Sequence, residues 1–422
     1  MHQDLAPSSL KLSSFAQTLC PEIAFEVLAV ARNLKAQGKE VVELQIGDSP
    51  FPTTRHAREA GLRAIESQAT HYCSSLGLLA FREAIADNYR REFQVDVTAE
   101  NVVVGPGAKT FEQFFCEAVL DPGDAVLVFT PHFPTYPANI ERRGARIVSS
   151  VLRQENQFRP DLNQVEDFIK TTPRARAIFL NSPHNPTGGV ATAEDLHALA
   201  ELIRGRPLGV FSDEPYCHMV WTGRHRPLPA EPGILDQVVA AYTFSKSYSM
   251  SGWRVGYAIS SPRLIEAMGK MINTSLSCVP PLAQWAGQAA LERDAAERDE
   301  VMQRFRKKVE LLVADLRRVE GVQVLMPAGT FYVFPDVSAI CQRLRILSHG
   351  LAMYLLEGAD DRLGVACLGG ECFGPAGQGF LRFSCAEPDD RLRQAVAFLA
   401  EAITRTKRVE RYLEGHPEFR MS

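Results

Sequence analysis

A chain of 422 residues with a formal charge of −4 can bury a large core and carries no general attraction for nucleic acid or an anionic membrane. Hydrophobic residues make up 45% and charged residues 23%, ordinary for a water-soluble protein, and no apolar run approaches bilayer-crossing length. Nine scattered cysteines, odd in number and without a CxxC pair, fit a reduced compartment; with no basic-then-apolar leader, the expected location is the cytoplasm.

Residues 1 to about 20 are polar and mixed and read as an arm. Pro21 opens an apolar-periodic helix, PEIAFEVLAVARNLKAQG, that stops at Gly38. The short strand VVELQIG follows, then the turn-rich GDSPFPTT and two amphipathic helices, HAREAGLRAIESQ and LLAFREAIADNYRREF. From residue 101 the pattern is regular. Seven apolar runs (NVVVG, AVLVFT, RIVSSVL, AIFLN, LGVFSD, VVAAYTF and RVGYAIS) recur before residue 260, most of them separated by helical or turn segments. Runs of this kind suit strands covered on both faces, and alternation with helices implies a mainly parallel sheet. After Pro281 the texture changes to a long helical stretch and then the short strands QVLMP, FYVFPDV, LGVACL and FLRFSCA, with the helix SHGLAMYLLEG among them. This pattern predicts a smaller α+β domain with an antiparallel sheet, which VVELQ could join. The expected division is residues 1–50 as arm and part of the small domain, 51–290 as a large α/β domain, and 291–422 as the small domain.

In an open parallel sheet, ligands sit beyond the carboxyl ends of the strands, so the residues just after each run matter most. The glycine-rich GPGAK feeds a helix whose first N–H groups and dipole can hold a phosphate, although such turns are also common connectors. Phe133, after AVLVF, could stack on a planar ring or be an ordinary loop aromatic. Within NSPHNPTGG, Asn181 and Asn185 are candidate polar contacts, with self-bonded turn asparagines as the alternative. Asp213 ends a continuous apolar run, so its carboxylate should be partly buried and needs a partner: a pyridinium nitrogen, or a helix start. Tyr216 could share a ring hydroxyl with Asn185 or edge the core. The stretch TFSKSYSMSGWRVGY carries Lys246 at a strand exit, where lost hydration favours the neutral amine that a Schiff base with a carbonyl requires. Ser245 and Arg254 beside it offer a hydroxyl and a fixed cation to a phosphate. Together these five strand ends suit one ligand, a phosphorylated pyridine aldehyde. No metal-ligand set is expected.

The segments NSPHNPTGG, SDEPY and FSKSYSMSGWRVGY resemble the signature segments of class I/II aminotransferases, pyridoxal 5'-phosphate enzymes of fold type I, and the likeness runs from about Pro21 to Thr404. GPGAK, HYCSSLGLLAFREAI, GTFYVFPD and FLRFSCA are most similar to the bacterial aspartate-aminotransferase-like branch. The resemblance implies that Lys246 anchors pyridoxal phosphate and moves a proton, that Asp213 pairs with the pyridine nitrogen, and that Asn185 and Tyr216 contact the ring oxygen. It assigns Phe133 to stacking and Gly107, Ala108, Ser245 and Arg254 to the phosphate. Arg382 and the Gly47 N–H would bind the substrate α-carboxylate. Lys109 would line the cofactor and could face a donor's side-chain carboxylate, which suggests aspartate or glutamate, while apolar Ile23, Ala24 and Phe25 keep aromatic and aliphatic donors open. Tyr72 matches a residue that reaches the phosphate of a neighbouring subunit, implying a homodimer with shared sites. The implied reaction moves an amino group between an L-amino acid and a 2-oxo acid by a ping-pong route. A lyase or cyclising synthase on the same fold is the alternative, since fold does not dictate outcome. A regulator carrying this fold would need a DNA-binding domain before Pro21, where only an arm is read.

Overall fold

The structure, a computed structural model, describes residues 10–19 and 21–421. Cys20 and the first nine residues of the expected arm lie outside them. The eight described cysteines are free thiols.

All seven apolar runs between residues 101 and 260 form strands of one sheet. Counting from β1 at Glu40–Glu43, these are β2 (Val102–Gly105), β3 (Ala125–Thr130), β4 (Arg146–Val151), β5 (Ala175–Asn181), β6 (Gly209–Asp213), β7 (Val238–Thr243) and β8 (Gly256–Ile259). Their order is β2-β8-β7-β6-β5-β3-β4. The sheet is mainly parallel; only β8 runs against its neighbours β7 and β2. The lack of alternation in the sequence has a direct cause. Val126 and Val128 of β3 point into one apolar cluster, while Ala125, Leu127 and Phe129 point into another on the opposite face. Both faces are buried, so both must be apolar.

A second core gathers the long helix Ala295–Leu316, the helix Asp389–Ala402 and the strands around them. The strands here are β9 (Tyr332–Val333), β10 (Leu363–Ala366), β11 (Leu368–Gly369) and β12 (Leu381–Ser384). The single antiparallel sheet expected from the sequence is instead two sheets. Strands β11, β12 and β9 form an antiparallel trio, whereas β1 joins this region by pairing parallel with β10. No hairpin links β1 to β10, so nothing forces them antiparallel. The segment QVLMP contributes only one isolated bridge, Gln323 to Asp336. Among the described residues no helix is long and apolar enough to cross a membrane.

The helix Arg55–Glu66 has no side-chain cap of its own from Thr54. The buried carboxylate of Asp294 supplies it from the far end of the neighbouring helix Pro281–Arg293, accepting from the N–H groups of His56 (3.2 Å) and Ala57 (3.0 Å) and bonding His56 Nδ1 (2.5 Å). Asp294→Ala therefore strands one buried and two part-buried donors at once. A loss of about 2–3 kcal/mol is expected, read as a lower urea midpoint with unchanged slope; an unmoved midpoint would refute this cap.

Candidate active site

A cavity of about 330 Å³ lies at the carboxyl ends of the central strands, between the large sheet and β9 and β12. Lys246, Asp213, Tyr216, Asn185, Phe133, Ala108, Lys109, Ser245, Arg254, Gly47 and Arg382 all line it. The sheet explains the gathering. Asp213 is the last residue of β6, Asn181 the last of β5, and Lys246 follows β7 by three residues. Parallel strands in register bring those ends side by side, with Asn181 opposite Asp213.

Asp213 is buried, and its Oδ2 accepts a hydrogen bond of 2.6 Å from Tyr136 Oη. Burial pushes its carboxyl up to about 6, against the pull of that bond and of the Lys109 and Lys246 charges. Next to it, Glu112 is also buried and is pushed by burial up to about 8. Glu112 accepts from Thr135 Oγ1 at 2.9 Å and from the Asn139 amide. Sequence reasoning named neither Tyr136 nor Glu112, although both lie within a few residues of a strand end, after β3 and β2.

The Lys246 ammonium donates to the Gly47 carbonyl at 2.5 Å and lies 5.9 Å from the Phe331 ring centre. Gly47 is where the structure needs glycine: a Cβ there would sit 1.7 Å from Tyr332 Oη. Its carbonyl, rather than the expected N–H, is the group seen in a contact.

Arg382 is buried at 4% exposure, held between the Tyr332 ring (4.4 Å) and the Phe373 ring (5.0 Å). It donates to the Gln45 carbonyl and to Asn185 Oδ1 (3.2 Å), and its Nε has no partner. Among the described residues no carboxylate pairs with it. A buried guanidinium left so lacks an anion. Tyr216 Oη donates to Tyr332 Oη at 3.2 Å. Tyr332 and Gln45 are further site residues that sequence reasoning missed; GTFYVFPD was quoted, but nothing in it marks Tyr332 as more than a strand residue.

At the other end, Gly107 has φ +97°, and a Cβ on it would come within 2.7 Å of Arg254 Nη2. Arg254 itself takes the left-handed region at φ +54° and donates to the carbonyls of Pro106 (2.6 Å) and Ser251 (2.8 Å). Ser245 Oγ bonds Thr243 Oγ1 at 2.8 Å. With the start of the helix Lys109–Val119 at the same place, the cradle presents a guanidinium, a hydroxyl and first-turn N–H groups.

Tyr72, expected at the phosphate of a neighbouring subunit, is 87% exposed and does not line its own chain's cavity. Lys109 lines it, but its ammonium is already paired with Glu22 and lies 5.1 Å over the Phe133 ring. Glu22 was not singled out in the sequence, because nothing local predicts a partner 87 residues away.

The Glu112 site carries a stability consequence. Its folded-state value lies above the ordinary 4.5, so the folded chain holds a proton that the unfolded chain releases. Stability is therefore lost as pH rises from about 4.5 to about 8. Glu112→Gln keeps an amide where the neutral acid stood, and should stabilise by at most about 4 kcal/mol at pH 8. The gain in thermal midpoint should fade as pH falls towards 4.5; an equal gain at both ends would contradict a protonated Glu112.

Comparison with known proteins points the same way. Residues 39–399 match the family model for aminotransferase class I and II. The aspartate/prephenate aminotransferase of Thermus thermophilus is 34% identical over 400 residues, covering 93% of this chain and 99% of the relative. The arginine–pyruvate transaminase of Pseudomonas aeruginosa is 32% identical over 393 residues, covering 93% of this chain and 98% of the relative. Among solved structures, Thermus thermophilus aspartate aminotransferase with maleate superposes with a TM-score of 0.86 at 32% identity, covering 93% of this chain and all of that one. By family match, fold and the residues gathered at the strand ends, the chain belongs to the class I and II aminotransferases.

Proposed function

We propose that this chain is a pyridoxal 5'-phosphate-dependent aminotransferase that moves an amino group between an L-amino acid and a 2-oxo acid. The observation that carries the reading is the opposed pair of unmet charges in one cavity: a buried carboxylate, Asp213, and a buried guanidinium, Arg382, without an acidic partner among the described residues. The residues fit the cofactor. Asp213 would hold the protonated ring nitrogen, and Gly107, Ala108, Ser245 and Arg254 would hold the phosphate. Phe133 would cover the ring face. Asn185 and Tyr216 would meet the ring oxygen; the Asn185 carbonyl already serves Arg382, so its NH2 end is the one available. Lys246 would be the anchor. When bound, pyridoxal phosphate supplies the electron sink that makes the substrate's Cα proton removable.

The chain's own work is binding, orienting and proton transfer. Arg382 forks onto the α-carboxylate, a planar task for which guanidinium suits better than ammonium. That contact fixes the Cα–H bond in front of Lys246. The Lys246 amine takes the proton from Cα as general base and delivers it as general acid. Aspartate or glutamate is a fitting donor, since Lys109 offers a half-exposed ammonium in the cavity lining and relatives carry aspartate aminotransferase names. Exposed Leu62, Ile65 and Trp285 on two packed helices, with Tyr72 nearby in sequence, support a homodimer in which Tyr72 serves the partner's phosphate. Sedimentation at twice 46.7 kDa would agree with this assembly, and a monomer would contradict it.

Lys246→Ala tests the core of the reading. The variant should retain pyridoxal phosphate through Asp213 and the phosphate cradle, yet lose the absorption of a lysine-bound cofactor. Amino transfer from aspartate to 2-oxoglutarate should fall by at least about a thousandfold. Appreciable turnover in that variant would refute the assignment.

A further inference from the structure

The pair formed by Glu22 and Lys109 joins the start of the helix Ile23–Ala36 to the start of the helix Lys109–Val119, and both residues line the cavity. Lys109 shares the lining with apolar Ala24, Phe25 and Phe133, and its ammonium lies 5.1 Å over the Phe133 ring. Its side chain is 48% exposed, against 15% for Glu22. Glu22 is also the N-cap residue of the helix Ile23–Ala36, yet its carboxylate makes no cap bond to that helix. The first-turn N–H of Phe25 is taken instead by the Glu22 backbone carbonyl at 3.0 Å, and glutamate, a methylene longer than aspartate, is not among the favoured cap residues. The carboxylate is held by Lys109, whose end of the pair is half in solvent, so the pair is weak enough to be displaced.

We propose that Glu22 is a specificity-determining residue that acts as a displaceable internal occupant of the carboxylate subsite at Lys109. The inference rests on the aminotransferase reading. When the donor side chain is uncharged, Glu22 keeps Lys109 paired, so no bare cation is left against an apolar side chain. When the donor carries a distal carboxylate, that group takes Lys109 and the Glu22 carboxylate swings out into solvent. A ping-pong transferase must admit two unlike side chains to one pocket in alternation, and a counter-ion that steps aside allows it. Acidic donors pay for this arrangement by competing with an intramolecular carboxylate, and removing that competitor should favour them.

The test uses the holoenzyme as wild type, Glu22→Gln, Lys109→Met and the double variant. Binding of maleate, a non-reactive dicarboxylate, and of 3-phenylpropionate, a monocarboxylate with an apolar end, is measured by calorimetry. The ratio of kcat/KM for aspartate to that for phenylalanine is measured with 2-oxoglutarate as acceptor. In Glu22→Gln, maleate should bind about three- to fivefold more tightly, with 3-phenylpropionate no tighter, and the ratio should rise by the same factor. With Lys109→Met as background, Glu22→Gln should change neither. Unchanged or weaker maleate binding in Glu22→Gln, or a gain that persists without Lys109, would overturn the proposal. If the wild type turned over no amino acid, the aminotransferase reading would fall, while maleate binding would still decide whether Glu22 occupies the subsite.

Discussion

A carboxylate placed at the end of a strand that is covered on both faces cannot be charged cheaply. That constraint at Asp213 governs the site. Burial raises its carboxyl to about 6, and one phenol, Tyr136, is the only hydrogen-bond donor to its side chain within the described residues. The chain thus carries a group whose charged form is stable only with a cation set against it. Arg382 is the counterpart of opposite sign: buried, clamped by two rings, and served by carbonyls instead of a carboxylate. Both charges face one cavity and neither neutralises the other. A ligand with a cationic ring nitrogen at one end and an α-carboxylate at the other relieves both.

The two charges come from separate cores. Asp213 ends β6 of the large sheet, and Arg382 lies in β12, whose partners are β9 and β11. The distance between them therefore depends on how the second core seats against the strand ends. Tyr332 of β9 makes that seat specific. It bonds Tyr216 after β6, lies against Arg382, and leaves room for nothing larger than glycine at position 47. One aromatic residue thus ties the buried arginine to the segment that carries Asp213.

Much of this was legible in the sequence, for a physical reason. A run buried on both faces reads as continuous apolar residues, so all seven strands of the large sheet were visible, and with them the polar residues that stop each run: Asn181, Asp213 and Lys246. Residues set by contacts distant in sequence were not visible. Tyr136 meets Asp213 across 77 positions and Arg382 meets Gln45 across 337, and no local pattern encodes either bond. Glu112 hides for a different reason. Its place in KTFEQFF suits a solvent-facing helical position, and only the packed structure shows it buried. The short strands of the second core were seen, but parallel pairing of β1 with β10 was not, since no turn fixes its direction.

In the proposed reading Arg382 and Lys109 meet the two ends of the substrate, and they differ in a way that matches what each would read. Every amino acid and 2-oxo acid brings the same α-carboxylate, so its reader can be rigid. Arg382 is buried and stacked, and the entropy of fixing it is lost once, in folding, not at each binding event. The side chain differs from substrate to substrate, so its reader must adapt. Lys109 is half-exposed on a flexible stem, paired to Glu22 at the start of a helix instead of clamped. A buried, fixed lysine there would penalise every donor lacking a distal carboxylate by leaving an unpaired charge. Exposure and an internal counter-ion lower that penalty, at the cost of a weaker grip on acidic donors. Rigidity at the invariant end and exchange at the variable end follow from one rule: a charge should be fixed only where its partner always comes.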